Sequence, residues 1–174
     1  ESSLAHLGSA DPRMQEIMSE AIKTSPYDFG IVQGKRTQDQ QWGIYKQGRE
    51  LIPGGDPMNP AQYKSTGKTV TGYATSVEKL MGSRHIPVEG SSTALAVDIA
   101  YYNPETKGYD WSDESKYKEL GAHIKSVAGR LGYGKDFQWG GEWKRQDLPH
   151  YQVSTSRPSG TDVAMDVMKE KPLF

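Results

Sequence analysis

The chain has 174 residues, 34% of them apolar and 10% aromatic, enough for an ordinary domain with its own core. Twenty-one basic and 22 acidic residues leave a formal charge of −1, so no strong positive field points to nucleic acid. No apolar run approaches a membrane span, no basic segment followed by an apolar one reads as a secretory signal, and the lack of cysteine excludes disulfides, thiol catalysis and thiolate metal sites.

Asp11 can cap a first helix, with Pro12 in its first turn. Met14, Ile17, Met18, Ala21 and Ile22 follow at helical spacing, and Ser25-Pro26 ends the run. Residues 27–34, "YDFGIVQG", read as a strand in which Phe29 and Ile31 share a face. Thr37 and Gln40 form a capping box for a second helix that stops near Gly48. Residues 49–68, rich in Gly, Pro, Ser and Asn, read as a long surface loop. Residues 94–102 read as a strand with Leu95, Val97, Ile99 and Tyr101 on one face. Asp98 then falls on the other face, between Ala96 and Ala100, where small neighbours leave room for a ligand or a metal. Ser112 is expected to cap a third helix through Tyr117, Leu120, Ile124 and Leu131, stopped by Gly132. "QWGGEW", residues 138–143, reads as a tight turn or strand end, and "HYQV" after Pro149 as a short strand. Thr161–Lys171 is expected to form one more helix. Helices and strands interleave without regular βαβ spacing, which favours an α+β fold with an antiparallel sheet.

Without cysteine, a metal must be held by His, Asp and Glu. Open catalytic zinc sites take about three such ligands and leave a position for water. His85, Asp98 and His150 can supply them, and Asp147 can serve as a base. Asp147 lies three residues before His150, and Pro149 fixes the turn between them. His-x12-Asp is not a standard local ligand pair, and Glu89 and Glu142 are competing carboxylates. His6 and His123 read as surface or hydrogen-bonded residues. Asp98 is harder to read so plainly, because a half-buried carboxylate needs a partner. "GYGKD", residues 132–136, lacks the phosphate-loop pattern and reads as a helix stop and turn, and no nucleophile elbow occurs.

Together "SRH…AVDIA", "WGGEW" and "DLPHYQV" resemble the M15 family of zinc peptidases, which includes VanY-like D,D-carboxypeptidases and phage L-alanyl-D-glutamate endolysins. "SPYDFGIVQGKRTQDQQWGIYKQGRE" resembles the endolysin-type stretch, and the likeness runs from about Leu4 to about Val153. The resemblance implies an α+β fold, a small antiparallel sheet flanked by helices, of the Hedgehog/D,D-peptidase-like type. It implies one peptidase domain over 1–174, with a core at about 4–153 and a partly helical tail at 154–174. It also implies a Zn2+ cofactor held by His85, Asp98 and His150, Asp147 as general base, Arg36 on the substrate carbonyl and Ser83 against the substrate.

In many members the first histidine and the aspartate lie closer together than here, where "IPVEGSST" widens the gap and keeps Glu89 as the rival of Asp98. The segment between Trp143 and Asp147 looks about one residue short, which keeps Glu142 as the rival base. The implied substrate is the stem peptide of peptidoglycan, cut between L-Ala and D-Glu by a monomer that neither binds nucleic acid nor inserts in membranes. Such an endolysin waits in the host cytoplasm until lysis and then acts on the cell wall. The alternatives are a bacterial D,D- or L,D-carboxypeptidase and, in a different class, a metal-free wall-binding domain.

Overall fold

A computed structural model describes residues 2–72 and 74–155, so the expected helix at Thr161–Lys171 lies outside the described residues. Helix α1 (Ser3–Gly8), which precedes the first helix read from the sequence, is capped by the Ser2 hydroxyl. Helix α2 (Pro12–Thr24) begins as expected, with the Asp11 carboxylate accepting from the Arg13 N–H. Met14, Ile17, Met18 and Ala21 are buried, but Ile22 is 41% exposed, at the edge of the apolar stripe. Strand β1 (Phe29–Gln33) leads to helix α3 (Gln38–Lys46), whose capping box from Thr37 and Gln40 is present.

The expected long loop after α3 is instead partly ordered. Strands β2 (Arg49–Leu51) and β3 (Tyr63–Ser65) form an antiparallel pair. Three-residue strands carry too little alternation to show in a sequence. What holds them is aromatic anchoring: Tyr63 packs edge-on against Tyr45, and the Arg49 guanidinium lies 4.3 Å from the Tyr45 ring while bonding Thr71. Trp42, Tyr45, Tyr63, Ala74 and Leu80 make a small second core here, which includes helix α4 (Val77–Met81).

Strand β4 (Ala96–Asn103) is central, followed by β5 (Gly108–Asp110), helix α5 (Glu114–Arg130), β6 (Phe137–Trp139) and β7 (His150–Val153). Asp113, not Ser112, caps α5 and accepts from the Lys116 N–H, while Ser112 bonds Asp110 instead. The sheet order is β1-β4-β7-β6, with β5 also on β4, and every pairing among them is antiparallel. The α+β expectation of a small antiparallel sheet flanked by helices therefore holds.

One sheet face is apolar. Leu95, Val97, Ile99 and Tyr101 meet α2 and α5 in the main core, with Leu120, Ile124 and Val127 fully buried. Each such side chain contributes about 1.5–3 kcal/mol on burial. Gly121 lets α5 approach the sheet: a Cβ there would lie 2.3 Å from the Trp139 indole. The opposite face of β4 carries Asp98.

Candidate metal site

Register creates the site. Asp98 of β4 is the direct partner of His150 of β7, and directly opposed residues project from the same face of a sheet. On the other side of β4, a bulge after Ile31 sets Gln33 against Asp98. His85 arrives on the loop after α4. Its carbonyl accepts from the Arg36 N–H at 2.8 Å, which ties this loop to the one leaving β1.

Three acceptor atoms converge. His85 Nε2 lies 3.2 Å from Asp98 Oδ1 and 3.3 Å from His150 Nδ1, and His150 Nδ1 lies 3.0 Å from the same Asp98 oxygen. The tautomers follow from the outer hydrogen bonds. His85 Nδ1 donates to the Gly34 carbonyl at 2.8 Å, and His150 Nε2 donates to Gln152 Oε1 at 3.0 Å. Each ring thus turns a lone pair toward the Asp98 carboxylate. Three lone-pair donors need a cation or a shared proton between them. Tetrahedral zinc with bonds of about 2.0–2.1 Å has donor–donor edges of about 3.3–3.4 Å, close to the triangle found. The donor set fits a metal ion.

The electrostatics agree. Burial pushes the Asp98 carboxyl up, but with protons on His85 and His150 in place of a metal, the charges and hydrogen bonds of the two rings outweigh it and hold the group well below the usual carboxylate range. Burial opposes a charge on His150, yet the Asp98 carboxylate raises its proton affinity on balance. A metal would take the place of that proton, so affinity should fall with pH. Trp143 packs on the His150 ring, with centroids 5.2 Å apart.

The three donors open onto a cleft of about 340 Å³ that Arg36, Gln41, Lys79, Ser83 and Asp147 also line. Asp147 is placed by a folded-back loop. Its N–H donates to the Gly140 carbonyl at 2.9 Å, and Trp139 Nε1 donates to the Leu148 carbonyl at 2.8 Å. Burial, then the negative charge of Asp98, raises the Asp147 carboxyl above its ordinary value. Arg36 is buried; its Nη1 donates to Gln41 Oε1 at 2.7 Å and its Nη2 lies 3.7 Å from Asp98 Oδ2. Its Nε is buried and has no hydrogen-bond partner among the described residues. Burial lowers the proton affinity of Arg36. The Ser83 hydroxyl accepts from the His85 N–H at 3.4 Å.

The rival carboxylates lie elsewhere. Glu89 is exposed on the loop between His85 and β4, and Glu142 pairs with Lys125 outside the cleft. His123 bonds the Ala21 carbonyl, as its plain reading expects. Sequence reasoning missed Gln41 and the two outer partners, Gly34 and Gln152. Gln152 was findable: in a strand it shares a face with His150, two residues before it. Gly34 was not, because a backbone carbonyl carries no sequence mark.

Residues 82–153 match the peptidase family M15_4, described as D-alanyl-D-alanine carboxypeptidase. That span holds Ser83, His85, Asp98, Asp147 and His150, while Arg36 lies outside it. Among solved structures, the chain is similar to the Serratia marcescens L-Ala D-Glu endopeptidase ChiX, at 19% identity and TM-score 0.59, over 88% of this chain and 86% of that one. This likeness supports the fold. No curated protein matches the chain. The resemblance to M15 peptidases read from the sequence is borne out.

Proposed function

We propose that this chain, which matches the M15_4 peptidase family over residues 82–153, is a zinc-dependent peptidase of peptidoglycan stem peptides that cuts between L-Ala and D-Glu. The convergence of three lone-pair donors at 3.0–3.3 Å, beside Asp147 and Arg36 in one cleft, carries the reading. The choice of bond draws support from the endolysin-type stretch around Arg36 and from the similar L-Ala D-Glu endopeptidase structure. A phage endolysin, released to the wall at host lysis, is the biological role that fits these features. A D,D-carboxypeptidase is the second reading, favoured by the description of the matching family.

His85, Asp98 and His150 would hold the metal. The chemistry a zinc ion supplies there is Lewis acidity, which makes water a nucleophile near neutral pH and polarises a carbonyl. Asp147 takes the proton of the attacking water and delivers it to the departing amine nitrogen. Arg36 donates to the substrate carbonyl oxygen as it gains negative charge, and its burial makes that contact stronger than it would be in water. Ser83 holds the substrate at the cleft wall.

The test begins with metal analysis. About one zinc per chain is expected, with activity lost to a chelator. Asp147→Asn should keep the metal and lose on the order of 10²–10⁴-fold in turnover, while Glu142→Gln stays active. Mass spectrometry of fragments from purified peptidoglycan then names the bond. A new N-terminal D-Glu supports the endopeptidase; release of only terminal D-Ala moves the assignment to the carboxypeptidase.

A further inference from the structure

The sheet face that bears Asp98 and His150 continues past the metal cluster. Ala100 lies two residues along β4 from Asp98, about 7 Å away at ~3.3 Å per residue, and is paired with Gly30 of β1. Two residues further, Tyr102 is paired with Tyr109 of β5. Alternation puts all four residues on the face of Asp98. Tyr101 pairs with both β1 and β5, so these strands flank β4 on opposite edges.

Tyr109 nevertheless reaches Gly30. A Cβ placed on Gly30 would lie 2.1 Å from the Tyr109 hydroxyl oxygen and 2.8 and 3.0 Å from two of its ring carbons. The side chain must therefore cross β4 and lie over Gly30 and Ala100, a floor made of the two smallest residues. Ala100 is fully buried, and Tyr102 meets the Tyr109 ring edge-on at 6.2 Å and 85°. Even so, Tyr109 is 49% exposed, and Trp111, two residues on, is 57% exposed. One side of the Tyr109 ring is seated on the sheet and the other is open to solvent.

We propose that Tyr109, with Trp111 at its margin, is a sugar-binding platform for the glycan strand from which the stem peptide hangs. This rests on the peptidase reading above. A pyranose ring presents a face of C–H groups, which packs on the electron-rich face of an aromatic ring, while its hydroxyls stay at the rim. The distance fits the same substrate. A bond one residue in from the sugar lies about two residue lengths from it, ~7 Å, and the Ala100 floor lies about that far from Asp98. A peptide partner would be expected to pair with a strand edge, whereas this platform lies on a face.

The test compares two substrates with zinc-loaded protein: intact sacculi, and the free stem peptide lacking sugar. Tyr109→Ala should lower kcat/KM on sacculi on the order of tenfold, the scale of losing one aromatic stacking partner. It should leave hydrolysis of the free peptide unchanged. Tyr109→Phe should restore the sacculus rate, and Trp111→Ala should give a smaller loss. Titration of the wild type with β-1,4-linked N-acetylglucosamine oligomers should shift NMR resonances of Tyr109 and Trp111 and leave those of α5 unmoved.

Equal rates of Tyr109→Ala and wild type on sacculi, or equal losses on both substrates, overturn the platform. A self-association abolished by Tyr109→Ala would assign the patch to a second copy and likewise overturn it. If the wild type leaves the free peptide uncut, the peptidase reading fails instead, and the sugar titration alone decides for or against the platform.

Discussion

Gly140→Ala should disable turnover while sparing the metal. Gly140 accepts the Asp147 N–H, and a Cβ on it would lie 2.4 Å from the Asp147 carbonyl oxygen and 3.1 Å from the Asp147 Cβ. Ordinary van der Waals contact begins at about 3.4 Å, so the Asp147 backbone must retreat by about 1 Å. No flexible side-chain end is there to absorb the clash. A 1 Å misplacement of a reacting group costs on the order of 10²-fold in rate. The metal donors sit on other supports: Asp98 is held in β4 between two strands, and His150 is tied by register to Asp98 and by Nε2 to Gln152. The assay pairs kcat/KM on purified peptidoglycan with an equilibrium zinc titration. A loss near 100-fold with zinc affinity within a few-fold of wild type is expected. Full activity would show that the Asp147 position is not critical, and zinc loss in step with activity would show that the clash is relayed to His150.

The remaining predictions address the ligands, the charge state of Asp147 and the packing of α5. Asp98→Ala should weaken zinc binding strongly and Glu89→Ala barely, because only Asp98 shares the donor triangle; the reverse result in a zinc titration would transfer the ligand role to the loop. In metal-free protein, Asp147 should titrate above the ordinary ~3.9 of an aspartate, since burial and the Asp98 charge both oppose its ionisation. As pH falls through that raised value, Asp147 becomes protonated and cannot act as a base, and added zinc, being positive, should move the value down. Carboxyl NMR titrations with and without metal check both signs, and a metal-free value at or below ~3.9 contradicts the electrostatic account. Gly129→Ala in α5 meets open space and should stabilise by about 0.5–1 kcal/mol. Gly121→Ala must instead fit a methyl against Trp139, where overpacking of about 1–3 kcal/mol exceeds the helix gain, so its Tm should fall. Thermal unfolding of both variants reads the contrast, and a Tm rise in Gly121→Ala would refute the close packing.

Local chemistry made much of this protein legible. The Asp11-Pro12 start of α2, the Thr37–Gln40 capping box and the alternation of Leu95, Val97, Ile99 and Tyr101 act within a few residues, so their consequences are written in adjacent letters. The same alternation put Asp98 on the face away from the core before any partner for it was known. Motifs at His85 and His150 pointed to a metal in the same way, through residue type and order. Short elements held from outside were not legible: β2 and β3 depend on Tyr63 packing against Tyr45, and the cap of α5 passed from Ser112 to Asp113 because Asp110 holds the Ser112 side chain. The tertiary structure places Asp98 with the two histidines and Asp147 at the cleft, and leaves Glu89 and Glu142 away from both. Asp98 already stood out as a carboxylate in an apolar strand between two alanines, and Asp147 by its place three residues before His150, but their rivals Glu89 and Glu142 could not be set aside from the neighbours along the chain. Distance ranks them: the sheet sets Asp98 opposite His150, 52 residues away, while the Gly140 turn folds Asp147 into the cleft and leaves Glu142 outside with Lys125. Lone pairs converge on one point only when strand register brings them there, and register is settled by burial of the whole apolar face of the sheet at once.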